Sequence, residues 1–426
     1  MTSSHFEGKD IISDLPRNII ESILQRMPVR DAARTSILSS KWRYFWTTIS
    51  QLVLDNQFFE ETLRIKPIVQ LELAKAVEKI LLLHNGPIQK FVLCLPVISF
   101  NGRSDIDHWI LFLSRNGIKD FTLDNSTNTP YEMHSCIYSC RELTRLKLIN
   151  CIVKPPRELS GFQNVVELHF KSVAFGKNML RTLLSRSGLL EMLIIYGCSG
   201  IGHLNIHARN LELLVLNRNN GIESLSFVDT PKLWWCSISL GMKMESLLRS
   251  KTPSSLDFLV DLPRVSILHL DSFFLQLLTA DGGLRSLPTR FTLLQSLSFY
   301  TMTFSDVVVI SCTLLLIQSC PNLMELNIRF CPTTNTFEEL VVNYLEAPAC
   351  MDQSEQTLAK LISVKINCLK GLKPQLLLIK LLLACSPKLE TLFVGLSSRL
   401  NESEGFKISK ELSQFRRLSP KAAVIY

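Results

Sequence analysis

Residues Leu143–Cys151 read LTRLKLINC, with leucine at the first, fourth and sixth positions and cysteine at the ninth. The fourth and sixth residues of such a stretch point to the same side of a strand, so the pattern describes a short strand with one apolar face. The form returns at Leu190–Cys198 (LEMLIIYGC) and Leu323–Cys331 (LMELNIRFC). Looser copies begin at Ile88, Ile118, Val165, Leu211, Val265, Leu294 and Leu389. Taking the middle apolar residue as a marker gives Phe91, Phe121, Leu146, Leu168, Leu193, Leu214, Cys236, Leu268, Leu297, Leu326, Val364 and Leu392. Most spacings fall between about 21 and 32 residues. One match means little, but a dozen at this period set the fold.

Such a period belongs to leucine-rich repeats, in which each unit lays one strand beside the last and returns over the convex side. Polar turns stand five or six residues ahead of the markers, as in LSRNGIKDFTL and IQSCPNLMELNI. Apolar helical stretches, NMLRTLL and DVVVISCTLLLI, precede two of them. Between Gly200 and Ile238 the apolar markers Leu204, Leu214, Leu225 and Cys236 arrive every ten or eleven residues. That spacing leaves no room for a helix, so the convex side there is expected to be extended chain. Cys151, Cys198 and Cys331 occupy the buried asparagine-or-cysteine position of the repeat, and no Cys-x-x-Cys pair suggests a metal.

The chain has 426 residues, 46% hydrophobic and 20% charged, which is a globular composition too long for one ordinary core. A net charge of +8, spread along the sequence, falls short of a nucleic-acid-binding tail. The segment MTSSHFEGKDI lacks the apolar run of a signal peptide, and the longest apolar stretch, Val307–Ile317, is shorter than the roughly 20 residues of a membrane span. An intracellular protein of the cytoplasm or nucleus with reduced thiols is expected, with neither membrane nor nucleic acid as a partner.

The first fifty residues stand apart from the repeats. Pro16 suits a helix start, Ile19, Ile20, Ile23, Leu24 and Met27 follow at helical spacing, and Pro28 ends the run. A second short helix begins near Asp31. A third follows Ser39–Ser40 and carries KWRYFW, with Trp42 and Trp46 on one face and Lys41 and Arg43 as solvated flanks. Three helices this short can scarcely bury so many apolar groups, so a second surface must cover them. Leu15-Pro16, Ile23-Leu24, Met27-Pro28, AARTSILS and Lys41-Trp42-Arg43 with Trp46 resemble the F-box motif in its plant-like form, with Met27 where leucine is usual. The resemblance implies docking onto the Skp adaptor of cullin ubiquitin ligases through Leu15, Pro16, Ile23, Met27, Pro28 and Trp42. The end of the chain is similar to the FBD domain of plant proteins. Lys370–Gly371, the leucine-rich stretch to Cys385, Phe415-Arg416-Arg417 and Ser419-Pro420 carry that likeness.

The expected fold is an α/β solenoid: a three-helix F-box over residues 1–50, irregular leucine-rich repeats over 51–342 and an FBD segment over 343–426. No phosphate-binding loop, nucleophile elbow or H-E-x-x-H motif is present, so a non-catalytic role without cofactor or metal is expected. His203 and His207 in HLNIH are four apart but sit on an expected strand. Trp234-Trp235 adjoin the marker Cys236, so one ring should pack inward and the other outward. Residues alternating with the buried ones form the expected concave recognition face: Lys147, Lys171, Tyr196, Asn217, His269, Asp271, Tyr300, Asn327, Arg329 and Lys365. Of these, Lys171, Tyr196, His269, Tyr300 and Arg329 are the candidates for holding a target protein. The reading is a substrate receptor of an SCF-type (Skp–cullin–F-box) ubiquitin ligase. The alternative is a protein-interaction scaffold outside any ligase.

Overall fold

The structure is a computed structural model and describes residues 12, 15–40, 42–65, 69–96, 103–154, 156, 159–219, 222–240, 262, 264–279, 291–332, 338–347 and 358–426. Lys41 lies outside them. The chain forms two compact units, Met1–Leu190 and Glu191–Tyr426.

The first unit opens with helices Arg17–Leu24 and Val29–Arg34, then the short 3-10 helices Thr35–Ile37 and Trp42–Thr48. The expected third helix is therefore a 3-10 turn rather than an α-helix. Ile20, Leu24, Val29, Ala32, Trp42 and Trp46 form its small core. Five parallel strands follow: Gln51–Leu54, Lys90–Leu95, Asp120–Asn125, Arg145–Ile149 and Glu167–Lys171. Leu52, Phe91, Phe121, Leu146 and Leu168 stand in one register across them. Leu52 thus belongs to a repeat one step earlier than the sequence pattern revealed. A smaller parallel sheet, Tyr131–Glu132, Cys151–Val153 and Ala174–Phe175, lies beyond the strand ends.

The second unit stacks nine parallel strands: Met192–Tyr196, Leu213–Asn217, Trp235–Ser239, Ile267–Asp271, Ser296–Met302, Glu325–Phe330, Ser363–Leu369, Thr391–Leu396 and Ala423–Ile425. The expected markers align without exception from Leu193 to Leu392, and Val424 extends the row by one. Leu204 and Leu225 pair with each other in a separate two-stranded sheet, Gly202–His207 against Ile222–Val228. The ten-residue spacing therefore alternates between two layers of strand, with no helix in either. Where repeats are longer, helices return the chain. Val307–Gln318 starts at Asp306, whose carboxylate accepts the Val308 N–H at 2.7 Å, and Val309, Ile310, Cys312, Leu314, Leu316 and Ile317 are buried.

One backbone feature recurs. The residue four places after the marker is left-handed at Asn150 (φ 53°), Ser172 (54°), Gly197 (63°), Arg218 (52°), Thr301 (55°) and Cys368 (60°). This turn takes the chain off the sheet, and the next residue re-enters the core. At that next position Cys198 donates its N–H to Asn219 Oδ1 at 2.8 Å, while Asn219 Nδ2 donates to the Ile195 carbonyl at 2.9 Å. Cys151 and Cys198 are buried as expected, but Cys331 is only half-buried.

The last strands are tied on by the residues that carry the FBD likeness. Gly371 holds φ at 76°, and a Cβ there would meet Ile408 at 2.8 Å. Gln375 Oε1 accepts the N–H groups of Lys370 and Leu372. Ser419 Oγ donates to the Leu389 carbonyl at 2.6 Å and Arg417 to the Ala422 carbonyl at 2.7 Å. The expected boundary at residue 343 falls inside the helix Glu339–Glu346.

Candidate functional site

Two surfaces could bind a partner. On the N-terminal helices Pro16 and Pro28 are exposed, Leu15 and Met27 half-buried, and Ile23 is 39% exposed. Trp42 departs from its expected place on the docking face. It is 3% exposed, its indole N–H donates to the Ile12 carbonyl at 3.3 Å, and Phe45 meets it edge-on at 6.5 Å. Its bulk supports the helices from inside. Ile19, Ile37, Leu38 and Tyr44 are exposed instead, Ile37 by 87%. Ile37 and Leu38 were hidden in AARTSILS, because their side depends on how the 3-10 turn follows the helix. Several large apolar side chains exposed within one short segment make it a candidate binding surface.

The concave positions of the sheet form the other surface. In the first unit Lys147, His169 and Lys171 share neighbouring strands. Burial, then the charges of Lys147 and Lys171, push the His169 pKa down. In the second unit the rings of His269 and Tyr300 meet edge-on at 5.6 Å, with Tyr300 Oη 3.4 Å from His269 Nδ1. Burial holds His269 below its usual pKa and therefore neutral at pH 7. Burial also raises the Tyr300 phenol, against the opposing influence of the Ser298 hydrogen bond and the Arg329 charge. Of the expected set the structure thus joins His269, Tyr300 and Arg329. Tyr196 is half-buried at the end of the strand Met192–Tyr196, and Lys171 lies in the other unit.

Two concave expectations are corrected. Asp271 is 1% exposed, because its carboxylate caps the helix Ser272–Thr279 through the Phe274 N–H and accepts from Ser239 Oγ, both at 2.8 Å. Neither ring of the tryptophan pair packs inward: Trp234 is 45% exposed, and Trp235 lies half-buried on the concave side, 5.2 Å from His269. Met192, Ile194, Leu213, Val215 and Ile267 also face this side. A periodic apolar pattern invites every leucine and isoleucine to be read as core, so these residues went unrecognised.

Among the described residues no group of three His, Cys, Asp or Glu side chains is placed to hold a metal. His203 and His207 are exposed on a strand, as expected. Burial raises Cys94 to about 11 and Cys140, Cys312 and Cys320 to about 12, so none of these four is a ready nucleophile.

Comparison with known proteins decides the family. The F-box domain family matches residues 12–53, and the family described as FBD-associated F-box protein At5g56370, LRR repeats, matches residues 106–252. The F-box/FBD/LRR-repeat protein At1g13570 of Arabidopsis thaliana is 34% identical over 425 residues, 99% of either chain. The chain belongs to the F-box/FBD/LRR-repeat family. F-box/FBD/LRR-repeat protein At5g56420 of the same plant is 26% identical and spans 53% of this chain and 54% of its own. A leucine-rich-repeat protein of Leptospira interrogans, solved experimentally, is 14% identical, covering 82% of this chain and 86% of its own at a TM-score of 0.33. The segment that matches the F-box family precedes the one that matches the repeat family. No helix among the described residues is long and apolar enough to cross a membrane.

Proposed function

We propose that this chain is the substrate-recognition subunit of an SCF-type ubiquitin ligase. Its F-box, residues 1–50, binds a Skp-type adaptor and through it a cullin. The repeats, residues 51–342, hold a target protein, and the FBD segment, residues 343–426, closes the end of the solenoid. The observation that carries this reading is the uncovered apolar face of the N-terminal helices, where Ile19, Ile23, Ile37 and Leu38 lie in water within a segment that matches the F-box family. Adaptor binding removes that surface from water.

Catalysis in such a complex is proximity. Tethering a target beside a ubiquitin-charged enzyme raises the local concentration of its lysines without any bond chemistry on this chain. Specificity then belongs to the concave positions, Lys171 in the first unit and Tyr196, His269, Tyr300 and Arg329 in the second, where aromatic and arginine side chains have the character of interface hot spots. The setting is the cytoplasm or nucleus.

Purification of the tagged chain with its adaptor tests the reading. Co-elution of the cullin supports a ligase subunit. An adaptor complex that never recruits a cullin supports the scaffold role. Steep salt-dependent retardation of generic DNA or RNA would move the chain to a third class.

A further inference from the structure

The concave face of the second unit is chemically lopsided. Met192, Ile194, Leu213, Val215, Trp235 and Ile267 all face outward, half-buried, on four successive strands. Register makes them one patch: Met192 stands beside Leu213, Leu213 beside Trp235, Trp235 beside Ile267, and Ile194 beside Val215. Apolar side chains on the outer side of a sheet need a cover. Further along the same face the composition changes. Arg329 is exposed and has no ion-pair partner among the described residues, while the Lys365 ammonium sits 5.3 Å over the Phe393 ring. The edge-on series Trp235, His269 and Tyr300 joins the two regions.

The distribution of acids gives the partner's charge. In the middle and upper rows of this face the described residues include one carboxylate, Asp271, which is buried and spent on Ser239 and the Phe274 N–H. Glu325 lies in the lower row, at the opposite end of its strand from Arg329. Among the described residues of these rows, the two cations therefore have no opposing charge.

We infer that this face takes an extended acidic peptide of the target, seated with an aliphatic or aromatic side chain on the Val215–Trp235 patch and a carboxylate at Arg329 and Lys365. The inference rests on the concave face being the target site. From the strand of Val215 to that of Arg329 there are four strand steps, through Trp235–Ser239, Ile267–Asp271 and Ser296–Met302. At about 4.8 Å per step the separation is roughly 19 Å, which an extended chain rising about 3.3 Å per residue crosses in about six residues. A nucleic acid strand fits poorly, since two cations beside an aliphatic patch offer a phosphate backbone little.

Selection of random peptides of about 12 residues displayed on phage, against the full-length protein, tests this. Enriched peptides are expected to hold a large apolar residue about five to seven positions from Asp or Glu. The combined Arg329→Glu and Lys365→Glu substitution, at exposed positions, should leave the melting temperature unchanged and weaken those peptides by about tenfold or more. Replacing the peptide's acid by Lys should restore binding to that variant. Val215→Ser should weaken peptides of either charge. Absence of enrichment, enriched peptides without the spacing, or indifference to the double substitution overturns the inference. Adaptor binding by the same protein is measured alongside. Its loss with peptide selection intact counts against the ligase reading and leaves this one standing.

Discussion

Leu326→Ala is the sharpest test of the repeat register. Leu326 is 1% exposed, with Leu297 and Val364 beside it on the neighbouring strands. Truncation removes three carbon atoms, worth about 2.4 kcal/mol of transfer free energy at about 0.8 kcal/mol each. Strands pinned on both sides relax little, so a cavity of roughly 60 Å³ remains and adds about 1.4 kcal/mol at about 24 cal/mol per Å³. The expected cost is about 4 kcal/mol. Arg329, three residues on, points out of the same strand and is exposed, so Arg329→Ala should stay within about 0.5 kcal/mol of the parent. Urea unfolding of the full-length variants, followed by far-ultraviolet circular dichroism, compares their midpoints. If Arg329→Ala shifts the midpoint as far as Leu326→Ala, the register is wrong by one residue and every concave assignment fails with it.

Other outcomes follow from the same structure. Replacing Leu15 and Pro16 together by Ala should cost about 2–4 kcal/mol of adaptor binding, a loss of about 30- to 1000-fold by solution titration. Ile37→Asp should weaken the adaptor and leave the fold intact, whereas Trp42→Ala should melt the N-terminal helices, costing about 3–5 kcal/mol. Equal adaptor loss without melting in both would contradict the burial of Trp42. Gly371→Ala forces a left-handed alanine against Ile408, and calorimetry should register a loss of about 1–3 kcal/mol. Burial favours neutral His269, so the folded chain binds that proton less tightly than the unfolded chain, where the group titrates near 6.5. The resulting stability is complete above that pH and is lost as pH falls below it. A His269→Asn variant should therefore lose less of its urea midpoint between about pH 7 and pH 5 than the parent does. An identical drop in both would mean that His269 is not shielded from water.

The sequence alone determined the solenoid. A strand's two-residue alternation within a repeat of some two dozen residues is a local property, and the markers from Phe91 to Leu392 fell into register wherever strands pair. It also located the extended return near Leu204 and Leu225, since ten residues cannot hold both strand and helix. The end strands around Leu52 and Val424 were illegible, because each has a single partner and one short apolar match carries no period. The left-handed turns were hidden as well: glycine marks one of them, and Asn150, Ser172, Arg218, Thr301 and Cys368 are held there by the strands on either side. Tertiary structure alone decided what faces water. Trp42 is amphipathic in the sequence and becomes core once the Ile12 carbonyl takes its indole N–H. Asp271 looks like a surface acid until the helix after it needs a cap. Alternation assigns side chains to one side of a strand or the other. Whether the outer side is polar or apolar depends on neighbours some twenty to thirty residues away, and the fold brings Ile194, Val215 and Trp235 together on that outer side.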